Sequence, residues 1–152
     1  MKYIKKIWEE CKALFKQGLS PKQLSASITV SVAISFFPIF GITTIILTLL
    51  AFKFKLNLPI MIALSYVVEP IKLLLLLPFI YIGANLWNTE HTLLTVAAIK
   101  ESYEESFFNT VTALSYELLC GFTGWFVVVI PLSIGFYFGL KVLLTFFVKL
   151  RN

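Results

Sequence analysis

Long apolar stretches without charge dominate the pattern of the chain. Residues 23–52, 73–89 and 118–140 contain no Asp, Glu, Lys or Arg. Their lengths match or exceed the roughly 17 to 25 residues that a helix needs to cross a bilayer. We therefore predict an all-α integral membrane protein with one membrane domain. Its expected elements are a surface amphipathic helix, one Pro/Gly-broken re-entrant helical hairpin, two spanning helices and an amphipathic connecting helix.

A helix start and a helix break frame the first apolar stretch. Ser20, followed by Pro21 and Gln23, has the pattern of a capped helix start, with Pro in the first turn and Gln able to reach back to the cap. Further on, the sequence FFPIFG at residues 36–41 combines a proline and a glycine, which disfavour a continuous helix. The predicted hinge residues here are Pro38 and Gly41.

The two arms on either side of this break are short. As helices, residues 24–36 and 42–52 would rise about 20 Å and about 16 Å, so neither crosses a ~30 Å hydrocarbon core alone. We predict that residues 21–52 form a re-entrant broken helix, because Lys53 and Lys55 then return to the lysine-rich cytoplasmic side. A single Pro-kinked span is the alternative.

The remaining elements follow from the same periodicities. Residues 1–17 carry apolar residues at helical spacing with lysines and glutamates between them, which predicts an amphipathic helix on the cytoplasmic face; packing of its apolar side on the rest of the protein is equally open. We further predict a Pro-broken span at residues 59–86, an amphipathic connector at 91–118 and a second span at 120–148.

The composition supports a membrane environment and narrows the chemistry. Of the 152 residues, 59% are hydrophobic and 14% are charged, against roughly a quarter charged in soluble domains. The chain has one histidine, two cysteines and no aspartate. We therefore predict no metal site, no cofactor and no enzymatic activity.

The net charge of +5 does not indicate a nucleic-acid partner. Six of the thirteen basic residues precede residue 23, an arrangement typical of a cytoplasmic anchor beside anionic lipids. We expect a multi-pass protein with both its N-terminus and its C-terminus in the cytoplasm.

Glu69 and Lys72 are the most informative polar residues. They lie in the Glu69-Pro70-Ile71-Lys72 sequence, about 15 Å into a predicted span, where ionisable groups are expensive and usually face protein or water. One hypothesis is a polar site in the membrane, with Pro70 as a further hinge and Lys72 balancing charge. The other is a self-neutralising structural ion pair.

Thr43 and Thr44 follow the predicted break directly. In a hairpin, the second arm would begin inside the membrane and present free N–H groups, the positive end of the helix dipole and two hydroxyls, which attract phosphate or carboxylate. Capping of their own helix is the alternative. The predicted substrate-binding residues are Thr43, Thr44, Glu69, Lys72 and Asn57.

Two sets of small residues favour close helix packing. Ser27, Ser31 and Ser35 repeat every four residues, and Gly135 and Gly139 form a GxxxG pattern. Packing within the chain is the preferred interpretation, and a homo-oligomer is the other.

Part of the sequence resembles a bacterial membrane family known as domain of unknown function 2062. The resemblance covers about residues 18–87, in the sequences GLSP, FPIFGITT, LNLP and the Glu-Pro pair. It implies a bacterial inner-membrane location and, because family members occur alone or behind glycosyltransferase domains, proximity to envelope glycan or lipid-linked sugar metabolism. The family often has Asn-Pro where this chain has Glu69-Pro70, and it supplies no catalytic residue.

Two main functional hypotheses follow. The first is binding or transport of a lipid or lipid-linked phosphate in envelope glycan or lipid metabolism, with Glu69 taking up a coupling proton. The second is a non-catalytic membrane anchor or partner of a glycosyltransferase. A water-accessible cavity at Glu69 favours the first, whereas a dry, packed Glu69 favours the second.

The topology is the first testable prediction. The N-terminus, the C-terminus and the segment after the hairpin should be cytoplasmic, with residues 88–115 outside. In a cysteine-free background, Phe54→Cys should therefore stay unlabelled by an impermeant thiol reagent added from the periplasm. Thr95→Cys is the matched control and should be labelled. Periplasmic labelling at position 54 would contradict the re-entrant hairpin.

Overall fold

The fold is all-helical over the part of the chain that the computed structural model describes. That part is residues 20–39, 41–88, 100, 102, 104 and 106–149, and it contains no strand. The four helices are α1 (Pro21–Ser35), α2 (Thr43–Phe54), α3 (Leu58–Trp87) and α4 (Phe107–Lys149). The predicted amphipathic helix at residues 1–17 and the first part of the predicted connector lie outside the described residues.

The start of α1 is the capped start that the sequence predicts. The Ser20 hydroxyl accepts a hydrogen bond from the backbone N–H of Gln23 at 3.2 Å, and the Gln23 side chain accepts one from the Ser20 N–H at 3.2 Å. These reciprocal bonds satisfy backbone donors that a helix start leaves unpaired.

The second helix folds back along the first. Asn57, just beyond α2, donates its backbone N–H to the hydroxyl of Ser27, near the start of α1, at 2.9 Å. Val30 of α1 packs against the buried cluster that includes Leu47 of α2. The two arms therefore form an antiparallel helical hairpin, and its second arm ends at Phe54 rather than at the predicted residue 52.

The serine stripe of α1 forms the contact with α3. Ser27 and Ser31 are fully buried, and the Ser31 hydroxyl donates to the carbonyl oxygen of Met61 at 2.5 Å. This contact and the contact between Ser27 and Asn57 both join residues thirty positions apart, so α1 and α3 run parallel and side by side. Small side chains at every fourth position permit this close packing.

The expected break in the first span is absent. The sequence predicts a Pro-broken span at residues 59–86, but α3 is continuous from Leu58 to Trp87, with Pro70 and Pro78 inside it. A proline removes one helical hydrogen bond and crowds the preceding turn. The helix nevertheless continues, because α1 packs on its first half and α4 on its second.

Glycines bring α3 and α4 into backbone contact. A Cβ atom on Gly83 of α3 would overlap the carbonyl oxygen of Cys120, and one on Gly124 of α4 would overlap that of Phe79. Phe79 precedes Gly83 along α3, but its partner Gly124 follows Cys120, the partner of Gly83, along α4. The helices α3 and α4 are therefore antiparallel.

The structure contradicts one expectation about α4 and does not support a second. Residues 107–118 and 120–148 are parts of one helix rather than a connector and a separate span, and this helix continues through Gly121. Within the described residues, a Cβ on Gly135 or Gly139 would meet nothing within 4 Å. Among these residues, the GxxxG pattern therefore makes none of the close internal packing that the sequence predicts.

Two of the helices, α3 and α4, are long enough and apolar enough to cross a membrane. With 30 and 43 residues, they rise about 45 Å and about 64 Å. Large apolar side chains are exposed along both, including Leu74 and Val142.

A matched pair of glycine substitutions tests the α3–α4 contact. Gly83→Ala should destabilise the protein by at least the ~1–3 kcal/mol typical of overpacking, because its Cβ meets backbone that cannot rotate away. Gly135→Ala should be neutral or stabilising by up to about 1 kcal/mol, since the new methyl group meets open space and alanine favours a helix. Thermal unfolding of the detergent-solubilised protein measures both. Equal melting temperatures for the two variants would contradict the contact.

Candidate functional site

The break between α1 and α2 forms the tip of the hairpin, and its first half packs on α4. Pro38 is fully buried, and the ring of Phe37 meets that of Trp125 edge-to-face, with centroids 5.1 Å apart. The Trp125 indole N–H donates to the carbonyl oxygen of Ala33 at 3.0 Å. It thereby satisfies one of the carbonyls that the end of α1 leaves without a helical partner.

The second half of the tip is held by Lys72 of α3. The Lys72 side chain is only 2% exposed, and its Nζ donates to the carbonyl oxygen of Ile39 at 3.1 Å. After Ile39 the chain turns through Gly41, whose φ of +84° lies in a region that residues with a Cβ rarely adopt. The lysine therefore ties α3 to the irregular backbone of the tip.

A polar cavity lies where the tip meets α3. Its volume is about 60 Å³, enough for a few water-sized groups. The lining residues come from the end of α1, the start of α2 and the middle of α3, and most carry a hydroxyl or a carboxylate: Ser35, Gly41, Thr43, Thr44, Ser65, Tyr66 and Glu69.

The start of α2 offers hydrogen-bond donors at this cavity. Ile42 occupies the N-cap position, and no side chain among the described residues caps the helix there. The first N–H groups of a helix have no partner within the helix and carry the positive end of its dipole. The Thr43 hydroxyl oxygen is buried and has no hydrogen-bond partner among the described residues. This end of α2 is thus suited to an anionic group.

Two serines add acceptor capacity to the cavity. The Ser35 hydroxyl donates to the carbonyl oxygen of Ser31 at 2.6 Å, and the Ser65 hydroxyl donates to that of Ile62 at 2.8 Å. Because each proton is used within its own helix, these two oxygens act as acceptors toward a ligand.

The carboxylate of Glu69 is on the open side of the cavity. Its residue is exposed, whereas Lys72, one turn along the same helix, is buried. The two charges attract each other electrostatically, but they face different surroundings. Glu69 lines the cavity, whereas Lys72 does not line it and bonds to the tip.

The structure brings together some of the predicted site residues and separates others. Thr43, Thr44 and Glu69 line one cavity. Asn57 lies at the other end of the hairpin, where its side-chain oxygen caps α3 by accepting from the N–H of Ile60 at 3.1 Å. Pro70 is exposed within a continuous helix.

Sequence reasoning missed Ser65 and Tyr66. Both precede Glu69 by about one turn of α3, at the i−4 and i−3 positions, so they share its face. That spacing could have identified Ser65 and Tyr66 as neighbours of Glu69. Their contact with the start of α2, however, depends on the register of α1 against α3. No group of three or more His, Cys, Asp or Glu residues that could hold a metal ion occurs in the described part of the chain.

Over the described residues the protein is all-helical, with two helices long and apolar enough to cross a membrane and a polar cavity at the tip of the hairpin. A family model described as "Uncharacterized protein conserved in bacteria (DUF2062)" matches residues 5–152. The chain therefore belongs to this family, and the match extends well beyond residues 18–87, where the sequence resemblance was first evident. No curated protein and no solved structure matches the chain.

Replacement of Lys72 tests its role at the tip. Lys72→Met should lower the free energy of unfolding by about 1–3 kcal/mol, because the Ile39 carbonyl loses the charged donor that Lys72 supplies. Lys22→Met is the control: Lys22 is exposed in the first turn of α1, where a cation is not favoured by the helix dipole, so its loss should cost nothing measurable. Thermal unfolding in detergent compares the two. A Lys72→Met protein as stable as the control would exclude a structural role for the contact.

Proposed function

We propose that this protein lies in the bacterial inner membrane and binds the phosphate of a lipid or lipid-linked head group at the hairpin tip, as a step in moving that lipid. The observation that carries the proposal is the cavity at the uncapped start of α2. There a buried Thr43 hydroxyl without a partner among the described residues adjoins free helical N–H groups. Phosphate oxygens accept hydrogen bonds from such donors.

The position of the cavity along α3 supports a ligand that resides in the bilayer. Glu69 lies eleven residues after Leu58, the first residue of α3, which corresponds to about 17 Å of helix and to mid-depth in a ~30 Å hydrocarbon core. Exposed apolar side chains flank the lining residues along their helices: Ile45, Val67 and Ile71. A lipid tail would lie against this surface while its head group enters the cavity.

Broken helices with a polar site near mid-depth are an arrangement that membrane transporters use. Half-helix ends there meet the charged groups of the substrate, and irregular backbone is tolerated because it lines a cavity or is covered by protein. The tip has both properties, since Pro38 is buried and Thr43 lines the cavity.

The surroundings of Glu69 separate this function from a purely structural partner role. A membrane anchor for a glycosyltransferase would keep a dry, packed Glu69, or an ion pair that serves only the fold. The exposed position of Glu69 at the mouth of a polar cavity instead favours contact with water or with a ligand.

Lipid binding to the purified full-length protein tests the proposal. Native mass spectrometry in a phosphate-free detergent should show that phospholipids bind at least about tenfold more tightly than diacylglycerol with the same acyl chains, since a charged hydrogen-bonded contact commonly contributes that much. The Thr43→Val, Thr44→Val double variant should lose most of this preference.

Thr112→Val, Thr145→Val is the matched control for the threonine variant. Both hydroxyls are exposed on α4 and bond only to carbonyls of their own helix, so the preference for phospholipids should persist. Equal binding of diacylglycerol and phospholipid by the wild-type protein would overturn the proposed function.

A further inference from the structure

The cavity contains a feature that a simple anion site would avoid. Glu69 places a carboxylate beside the donors of α2, and a carboxylate repels phosphate strongly where water is scarce. A ligand that fits this cavity therefore needs a positive charge as well as a negative one.

Lys72 does not supply that positive charge at the mouth. Its side chain is 2% exposed, and its ammonium donates to the Ile39 carbonyl. It attracts Glu69 electrostatically, but Glu69 lines the cavity and Lys72 does not. The positive group must therefore come from the ligand side.

Tyr66 gives the mouth a second group that favours a cation. It precedes Glu69 by three residues on α3, lines the same cavity and is 66% exposed. An aromatic face combined with a carboxylate is a common recognition pair for ammonium groups, through cation–π attraction and a charged hydrogen bond. Neither group is needed to bind phosphate.

The size of the cavity limits the head group to a small one. Its volume is about 60 Å³, well below the ~150 Å³ of a cavity that binds a six-membered ring. A sugar ring is thus too large to enter, whereas a phosphate fits against the start of α2 with a primary or methylated ammonium beside Glu69 and Tyr66 at the mouth.

We infer that the site recognises a zwitterionic lipid head group, in which a phosphate is joined through a short chain to an ammonium group. The phosphate meets the start of α2 with Thr43 and Thr44, and the ammonium meets Glu69 and Tyr66. This inference rests on the proposed function and names the class of lipid that the same cavity selects.

Competition between two phospholipids tests the inference. Phosphatidylethanolamine and phosphatidylglycerol with identical acyl chains share the phosphodiester and differ in the ammonium group. When equal amounts are offered to the full-length protein in a phosphate-free detergent, native mass spectrometry should show phosphatidylethanolamine bound in about tenfold excess, the ratio that one charged contact supports. Equal binding, or an excess of phosphatidylglycerol, would overturn the inference.

Replacement of the Glu69 carboxylate tests whether this cavity causes the preference for phosphatidylethanolamine. Glu69→Gln should bring the ratio of the two phospholipids close to one, while both still bind better than diacylglycerol. Glu104→Gln is the matched control, because Glu104 is an exposed carboxylate paired with Lys100 at 3.9 Å, outside the cavity. A Glu69→Gln protein that keeps the preference for phosphatidylethanolamine would also overturn the inference.

A measurement on the wild-type protein avoids any folding defect of the variant. N-acetylated phosphatidylethanolamine keeps the phosphate but loses the ammonium charge, so it should bind about tenfold more weakly than the parent lipid. Unchanged binding of the acetylated lipid would overturn the inference, because a proton would then neutralise Glu69. The inference also fails if added sodium raises the binding of phosphatidylglycerol to that of phosphatidylethanolamine, because a metal ion would then take the place of the ammonium group. The proposed function fails on a different result, namely equal binding of phospholipids and diacylglycerol.

Discussion

Satisfaction of the backbone groups at the break between α1 and α2 is the constraint on which the rest of the structure depends. A helix that stops leaves carbonyls at one end and N–H groups at the next start without partners, and each unpaired group costs several kcal/mol in an apolar environment. Two carbonyl groups at the break receive side-chain donors: the Trp125 indole N–H donates to the carbonyl oxygen of Ala33, and the Lys72 ammonium donates to that of Ile39. At the start of α2, no side chain among the described residues caps the helix. Its first N–H groups therefore face the cavity.

The register between α1 and α3 then determines which side chains reach those donors. Ser27 and Ser31 meet residues thirty positions later, and the same step places Ser35 level with Ser65. One further turn of α3 brings Glu69 to the start of α2. Larger side chains on this face of α1 would separate the two helices, so the small residues that permit packing also build the cavity.

Local rules were sufficient for part of this arrangement. The start at Ser20 and the break at Pro38 and Gly41 follow from capping patterns and helix breakers, and the cost of charge is what draws attention to Glu69 and Lys72. The continuity of α3 through Pro70 could not be predicted, because it depends on the helices that pack on either side. The open surroundings of Gly135 and the contribution of Tyr66 likewise depend on tertiary packing, which a single sequence does not reveal.

Glu69 and Lys72 share a helix, but their environments assign them different tasks. A lysine that is 2% exposed and bonded to the Ile39 carbonyl stabilises the tip whether or not a ligand is present. An exposed carboxylate at mid-depth in a membrane would be costly without a cation or water beside it. A ligand that brings an ammonium group removes that cost on binding, and anything that binds only the folded state stabilises it. Occupancy of the cavity and stability of the hairpin tip would therefore be coupled.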